Sequence, residues 1–196
     1  MFRPDGTLPP AWVAPFHVPT YLAGLNDFAG TNIVGATNQI AVAELDAGRP
    51  GRELVFAGFD GRIHAIDSAR GVLWSHVYTT DPRVLTGGVA IADLSRDGRP
   101  EIVFATYSPD ADKGALMILD ASGNRLHTIP LPDRGAMSVP TIADAGGSAA
   151  LELVVNLKDG VNNVRQVLVY EVPNSAAGCA AWPTGRGNLL RNAFVP

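Results

Sequence analysis

One acidic residue, each time followed by an apolar run, returns along the chain at Glu53, Glu101 and Glu152. The intervals are 48 and 51 residues. Each copy is led by another apolar run and a turn. The first copy reads Ile40-Ala-Val-Ala-Glu-Leu45, then a Gly-rich turn, then Glu53-Leu-Val-Phe56. The second reads Val89-Ala-Ile-Ala-Asp-Leu94, a turn, then Glu101-Ile-Val-Phe104. The third reads Pro140-Thr-Ile-Ala-Asp-Ala145, a turn, then Glu152-Leu-Val-Val155. A chain that repeats itself in this way builds copies of one supersecondary unit. A period of roughly 40 to 50 residues is that of a four-stranded propeller blade.

Each copy continues alike. Asp60-Gly61 precedes Arg62–Ile66, Gly114 precedes Ala115–Leu119, and Lys158-Asp-Gly160 precedes Arg165–Tyr170. Fourth strands are expected after Ser68-Ala-Arg-Gly71 and after Ser122-Gly123. Short runs rich in Val, Ile, Leu and Phe between Gly and Asp are strand signals, and no stretch keeps a helical period. The 21 Gly and 15 Pro suit many short strands. The first two strands of each unit are nearly all apolar, as strands covered on both faces are. Phe2–Trp12 resembles the turn and fourth strand at Ile66–Trp74, so the chain is expected to start inside a blade. The organisation expected is all-β and of propeller type, with about three four-stranded blades plus one leading strand. Residues 1–12 are the last strand of a preceding blade and 13–38 a long connection. Blades occupy 39–80, 81–130 and 131–173, and 174–196 is a C-terminal tail. A ring needs roughly four to eight blades. The chain is therefore expected to be the C-terminal part of a larger propeller, or an incomplete ring that a homo-oligomer completes.

The formal net charge of −4 does not suit a nucleic-acid partner gripped through a broad basic face. No run approaches the roughly 18 apolar residues of a membrane span. The N-terminus carries no signal-peptide pattern. The single Cys179 excludes an internal disulfide, and no His is placed by sequence to activate it.

Val89-Ala-Ile-Ala-Asp-Leu-Ser-Arg-Asp-Gly-Arg-Pro-Glu-Ile-Val-Phe104 resembles the FG-GAP/VCBS repeat of integrin-alpha-type propellers. The likeness runs from about 39 to 172, with the middle copy clean. It implies a structural calcium loop between two strands, held by Asp93, Ser95, Asp97, the Arg99 carbonyl and Glu101. Calcium takes six to eight oxygens, and Gly98 allows the sharp turn. Phe104 stands where an EF-hand needs its bidentate Glu, so this is not an EF-hand. An ion-free Asp-Gly turn is the plain alternative. Ser95 weakens the site. Unit one offers Glu44, Asp46 and Glu53 with one extra residue; unit three has Asp144 and Glu152 and is expected to be ion-free. The segment Cys179–Arg191 resembles the tail after the last blade in some bacterial members. The resemblance further implies an extracellular, periplasmic or cell-surface location and a non-catalytic role in binding or adhesion, with a protein or glycan ligand.

Ala65-Ile-Asp-Ser-Ala-Arg-Gly-Val-Leu-Trp74 is similar to the A-x-D-x-x-T-G-x-x-W signature of quinoprotein-type propellers, with Arg70 in place of Thr. That likeness implies a Trp docked between adjacent blades. It keeps open a quinoprotein-like enzyme or assembly factor. A glycan-binding lectin-type propeller is the other rival, with Phe59 and Tyr107 near equivalent positions. His17, His64, His76 and His127 show no metal spacing, and His64 reads as an ordinary surface or interblade residue. His17, Tyr21, Asn26, Asp27 and Phe28 lie on the long connection, read as a covering loop. Asn162 and Asn163 read as a loop tip, and Arg186 and Arg191 as a solvated tail. No G-x-S-x-G, P-loop, G-x-G-x-x-G or H-E-x-x-H motif is present, so no catalytic residue and no enzyme activity are expected.

Overall fold

The computed structural model describes residues 36–69, 71–110, 112–158 and 166–188, with Asp5, Thr7 and Pro10 of the leading segment. The strand expected over Phe2–Trp12, the connection through His17 and Phe28, Arg70, Asn162, Asn163, Arg165 and Arg191 lie outside the described residues. The described chain forms eleven strands and no α-helix. Its first sheet runs β1 (Ala36–Ala43), β2 (Glu53–Gly58), β3 (Arg62–Ile66), β4 (Val72–Val77). The second runs β5 (Leu85–Ala92), β6 (Glu101–Tyr107), β7 (Ala115–Leu119), β8 (Arg125–Pro130). The third holds β9 (Thr141–Ala143), β10 (Leu151–Asn156) and β11 (Val167–Val172). All neighbours are antiparallel and sequential. The all-β architecture and the three repeats are thus present as three antiparallel sheets.

The apolar runs explain the layering. On β2 and β6 successive side chains point to opposite faces, and both faces are buried. Val55, Ala57, Ile63 and Ala65 of the first sheet meet Ile91, Ile102, Phe104 and Leu119 of the second in one core. Val103, Ala105, Leu116 and Ile118 of the second sheet meet Ile142, Leu151, Leu153 and Val155 of the third in another. β1 lies against β5, and β5 against β9. Exposure rises away from these first strands: β8, the outermost strand of its sheet, is almost wholly solvent-facing.

Polar contacts lock adjacent sheets in register. The Gln39 side-chain amide donates to the Val89 carbonyl at 2.9 Å, and its carbonyl accepts the Val89 N–H at 2.8 Å. Gly88, at φ 141°, leaves room for it. Trp74 reaches from β4 to the β7–β8 turn, where its Nε1–H donates to the Ala121 carbonyl at 2.9 Å. Gly123 lies against the indole; a Cβ there would stand 2.6 Å from Cδ2. His76 Nδ1 bonds the Gly123 carbonyl at 3.0 Å. Burial lowers the His76 pKa, and the Gly123 carbonyl opposes that change.

The third repeat departs from the expected four strands: among the described residues it has three. Pro173 cannot donate to a ladder, and Asn174 turns the chain at φ 64°. Ser175 Oγ then accepts the Leu151 N–H and donates to the Val172 carbonyl. From there the described chain crosses back to the first strands. Ile91 and Trp182 exchange both backbone hydrogen bonds at 2.8 Å, and Ile142 N–H donates to the Pro183 carbonyl at 2.8 Å. Trp182 is buried in the core between the first and second sheets. This part of the tail is therefore packed; Arg186 stands just beyond it.

Gly123→Ala is expected to cost about 2–4 kcal/mol, because it combines a left-handed backbone with collision against Trp74. Gly98→Ala carries the same backbone penalty at φ 83° with open space around it, about 1–2 kcal/mol. Urea unfolding of both variants checks this; equal losses would show that the Trp74 docking contributes nothing.

Candidate functional site

The recurring glutamate has the same partner in every repeat. Glu53 Oε2 accepts the Leu45 N–H at 2.7 Å, Glu101 Oε2 the Leu94 N–H at 2.6 Å, and Glu152 Oε2 the Ala145 N–H at 2.7 Å. All three glutamates are buried. Each is cross-strand from an alanine, Ala43, Ala92 or Ala143, whose small side chain lets the longer one fold back over the turn. A hydrogen bond to a charged acceptor contributes about 1.5–3 kcal/mol, against the cost of burying the carboxylate. That cost is visible at Glu101: burial raises its pKa, the Leu94 and Ser95 groups pull it back, and the Asp93 charge raises it further.

The loop expected to hold calcium is closed by its own amides. Asp93 accepts from Asp97 N–H at 3.2 Å and Gly98 N–H at 2.9 Å, and Asp97 from Arg99 N–H at 2.8 Å. Glu101 also accepts from Ser95 N–H at 3.3 Å. Ser95, Asp97, Arg99 and Glu101 line one small cleft with Asp120, and Asp93 is not among its walls. The donors are hard oxygens of the kind calcium takes. Four of the five residues share that cleft, while among the described residues no three His, Cys, Asp or Glu side chains are grouped to hold a metal ion. In unit one, Asp46 accepts the Gly48 N–H and pairs with Arg49; in unit three, Asp144 accepts the Ala149 N–H.

Beside this turn, a cleft of about 540 Å3 opens between the first and second sheets. Its walls are the β1–β2, β5–β6 and β7–β8 turns, and Leu73 and Trp74 line it from β4. No feature of the sequence singles it out, because it is assembled from four separate segments.

A second constellation also goes unannounced by sequence. His64 Nε2 lies 3.0 Å from Asp60 Oδ2, and Nδ1 lies 2.9 Å from Ser75 Oγ. His64 and Asp60 are buried, with Phe56 stacked on the imidazole at 5.3 Å. His64 is thus a core residue. The chain of groups ties the β2–β3 turn to β4, and Gly58 makes room for it. His127 is exposed, and Phe59 and Tyr107 are half-buried. Cys179 is a half-buried free thiol whose carbonyl accepts the Asp93 N–H at 2.8 Å. No helix among the described residues is long and apolar enough to cross a membrane.

No protein-family model and no curated protein matches the chain. Among solved structures it is similar to the V. cholerae biofilm matrix protein Bap1, at 22% identity and a TM-score of 0.49. The likeness covers 74% of this chain and 24% of that one, so the chain spans about a quarter of that protein's length.

Glu101→Ala is expected to cost about 1–3 kcal/mol by leaving the Leu94 amide without its acceptor. Glu101→Gln keeps an acceptor oxygen and removes the buried charge. The folded state holds the Glu101 proton more tightly than the unfolded chain, so this group favours folding in acid. That contribution is lost as pH rises from the ordinary value of 4.5 through the raised one. Wild type is therefore expected to lose stability relative to Glu101→Gln between pH 4 and pH 7. A pH-independent difference in urea midpoints would contradict the burial penalty.

Proposed function

We propose that the chain is a non-catalytic repeat scaffold of β-propeller type, acting outside the cell or at its surface by presenting its turns to a ligand. The observation that carries this reading is the common use of Glu53, Glu101 and Glu152 to hold turns at equivalent places in successive sheets. Rigid sheets with clamped turns offer a pre-ordered set of loops, and long-lived loop geometry lowers the entropic cost of binding. The propeller arrangement is supported by first strands that lie side by side and by outer strands that face solvent. The extracellular assignment rests on the FG-GAP/VCBS resemblance. An immobilised folded chain is expected to retain extracellular polysaccharide or cell-surface protein fractions that a heat-unfolded chain does not. Equal retention by both would overturn the reading.

Calcium belongs to this proposal as a reinforcement of the middle turn. Asp93, Ser95, Asp97, the Arg99 carbonyl and Glu101 would hold it, and its charge would relieve the repulsion between Asp93 and Glu101. Calcium is expected to raise the melting temperature by a few degrees, with Asp97→Ala abolishing the rise. Identical melting in calcium and in chelator would remove the ion from the account.

A second reading, a quinoprotein-like propeller enzyme, is favoured by Trp74, which docks on the neighbouring sheet's turn as that signature implies. After reconstitution with quinone and calcium, a cofactor absorbance band retained through desalting would support it, and its loss would leave the scaffold reading in place.

A further inference from the structure

We propose that the cleft between the first and second sheets is a binding site for a neutral saccharide unit. Its volume of about 540 Å3 lies within the roughly 300–1,000 Å3 of small-ligand sites. Trp74 and Leu73 give it apolar surface, while Glu44, Arg49, Arg99 and Ser122 give it polar walls. A pyranose has this division in its own structure: C–H faces that need an apolar surface, and hydroxyls that need both donors and acceptors.

The charges choose between ligand classes. Glu44 and Asp46 stand against Arg49 and Arg99, so the lining is balanced and selects neither an anion nor a cation. Arg49 is further neutralised by Asp46 and Asp67, each at 3.2 Å. Two groups keep capacity for a ligand. Arg99 gives one N–H to Ser122 Oγ at 2.9 Å, leaving the other donors of its fork. Glu44 is exposed and has no hydrogen-bond partner among the described residues. One accepts and the other donates, from opposite sheets, which is how adjacent hydroxyls are recognised.

The walls are already set. Glu53 holds the Leu45 amide on one side, Glu101 the Leu94 amide on the other, and Trp74 is bonded to Ala121. A site built this way binds without ordering its loops first.

This proposal rests on the scaffold reading and is tested apart from it. The full chain is applied to an array of neutral and acidic oligosaccharides, and a retained sugar is titrated calorimetrically. Wild type, Glu44→Ala, Arg99→Ala and Arg83→Ala, a control at a residue that pairs with Asp110 and does not line the cleft, are compared, with melting curves confirming that each is folded. Retention of neutral sugars is expected, with affinity falling about tenfold or more in Glu44→Ala and Arg99→Ala, as losing a hydrogen bond to a charged group implies. Arg83→Ala should bind as wild type. No retained sugar, unchanged binding in both cleft variants, or retention of acidic glycans alone with loss in high salt would each overturn the proposal. If beads carrying the Arg99→Ala chain still hold extracellular polymer while the array is blank, the scaffold stands and the cleft does not.

Discussion

A buried carboxylate that reaches back to an amide of the preceding turn, two residues beyond the strand end, is the interaction on which this structure depends. An amide in that position has left one strand and not yet joined the next, so it has no ladder partner, and burying it unpaired is costly. Glutamate solves this from the start of the second strand, at its first or second position, provided that the residue across from it is small. Alanine stands there in all three repeats. The turn is thereby tied to the sheet core instead of hanging from it. Because the same solution recurs, successive sheets present their turns in the same way, and the clefts between sheets acquire fixed walls.

The links between sheets are of a different kind in each place. Gln39 grips the backbone of β5 beside Gly88, Trp74 settles on Gly123, and the tail around Trp182 pairs with Ile91 and reaches Ile142. Two of these depend on a glycine that yields space to a large side chain. Apolar burial supplies the bulk of the attraction between sheets, being non-directional. The polar and aromatic links decide how the sheets are aligned. Alignment matters for function, since the saccharide cleft takes one wall from each of two sheets.

Much of the strand order was legible because side-chain alternation and turn residues are local signals. Arg62–Ile66 and Ala115–Leu119 stand in the sequence as they stand in the sheets. The glutamates were visible as a repeat, but their chemistry was not. A carboxylate opening a strand after an Asp-rich turn has the same sequence pattern whatever it faces, and only the structure shows the 2.6 Å bond to the Leu94 amide. The His64 network was hidden because its members come from a turn and two strands, so its spacing has no period. The packing of Trp182 was hidden for another reason. A Gly- and Ala-rich tail has no alternation, and its place is set by distant strands that leave room beside Ile91. That the described residues just after Val172 turn away from the sheet had a local sign in Pro173-Asn174, which the repeat pattern alone outweighed.

Native-state hydrogen exchange at Leu45, Leu94 and Ala145, followed by amide-resolved NMR, tests the central claim most directly. If buried glutamates hold these turns, the three amides exchange slowly, through the same opening that releases the strands on either side, although each lies in a loop. Exchange at the rate of a solvated turn, while β2, β6 and β10 stay protected, would show that the glutamates do not clamp the repeats.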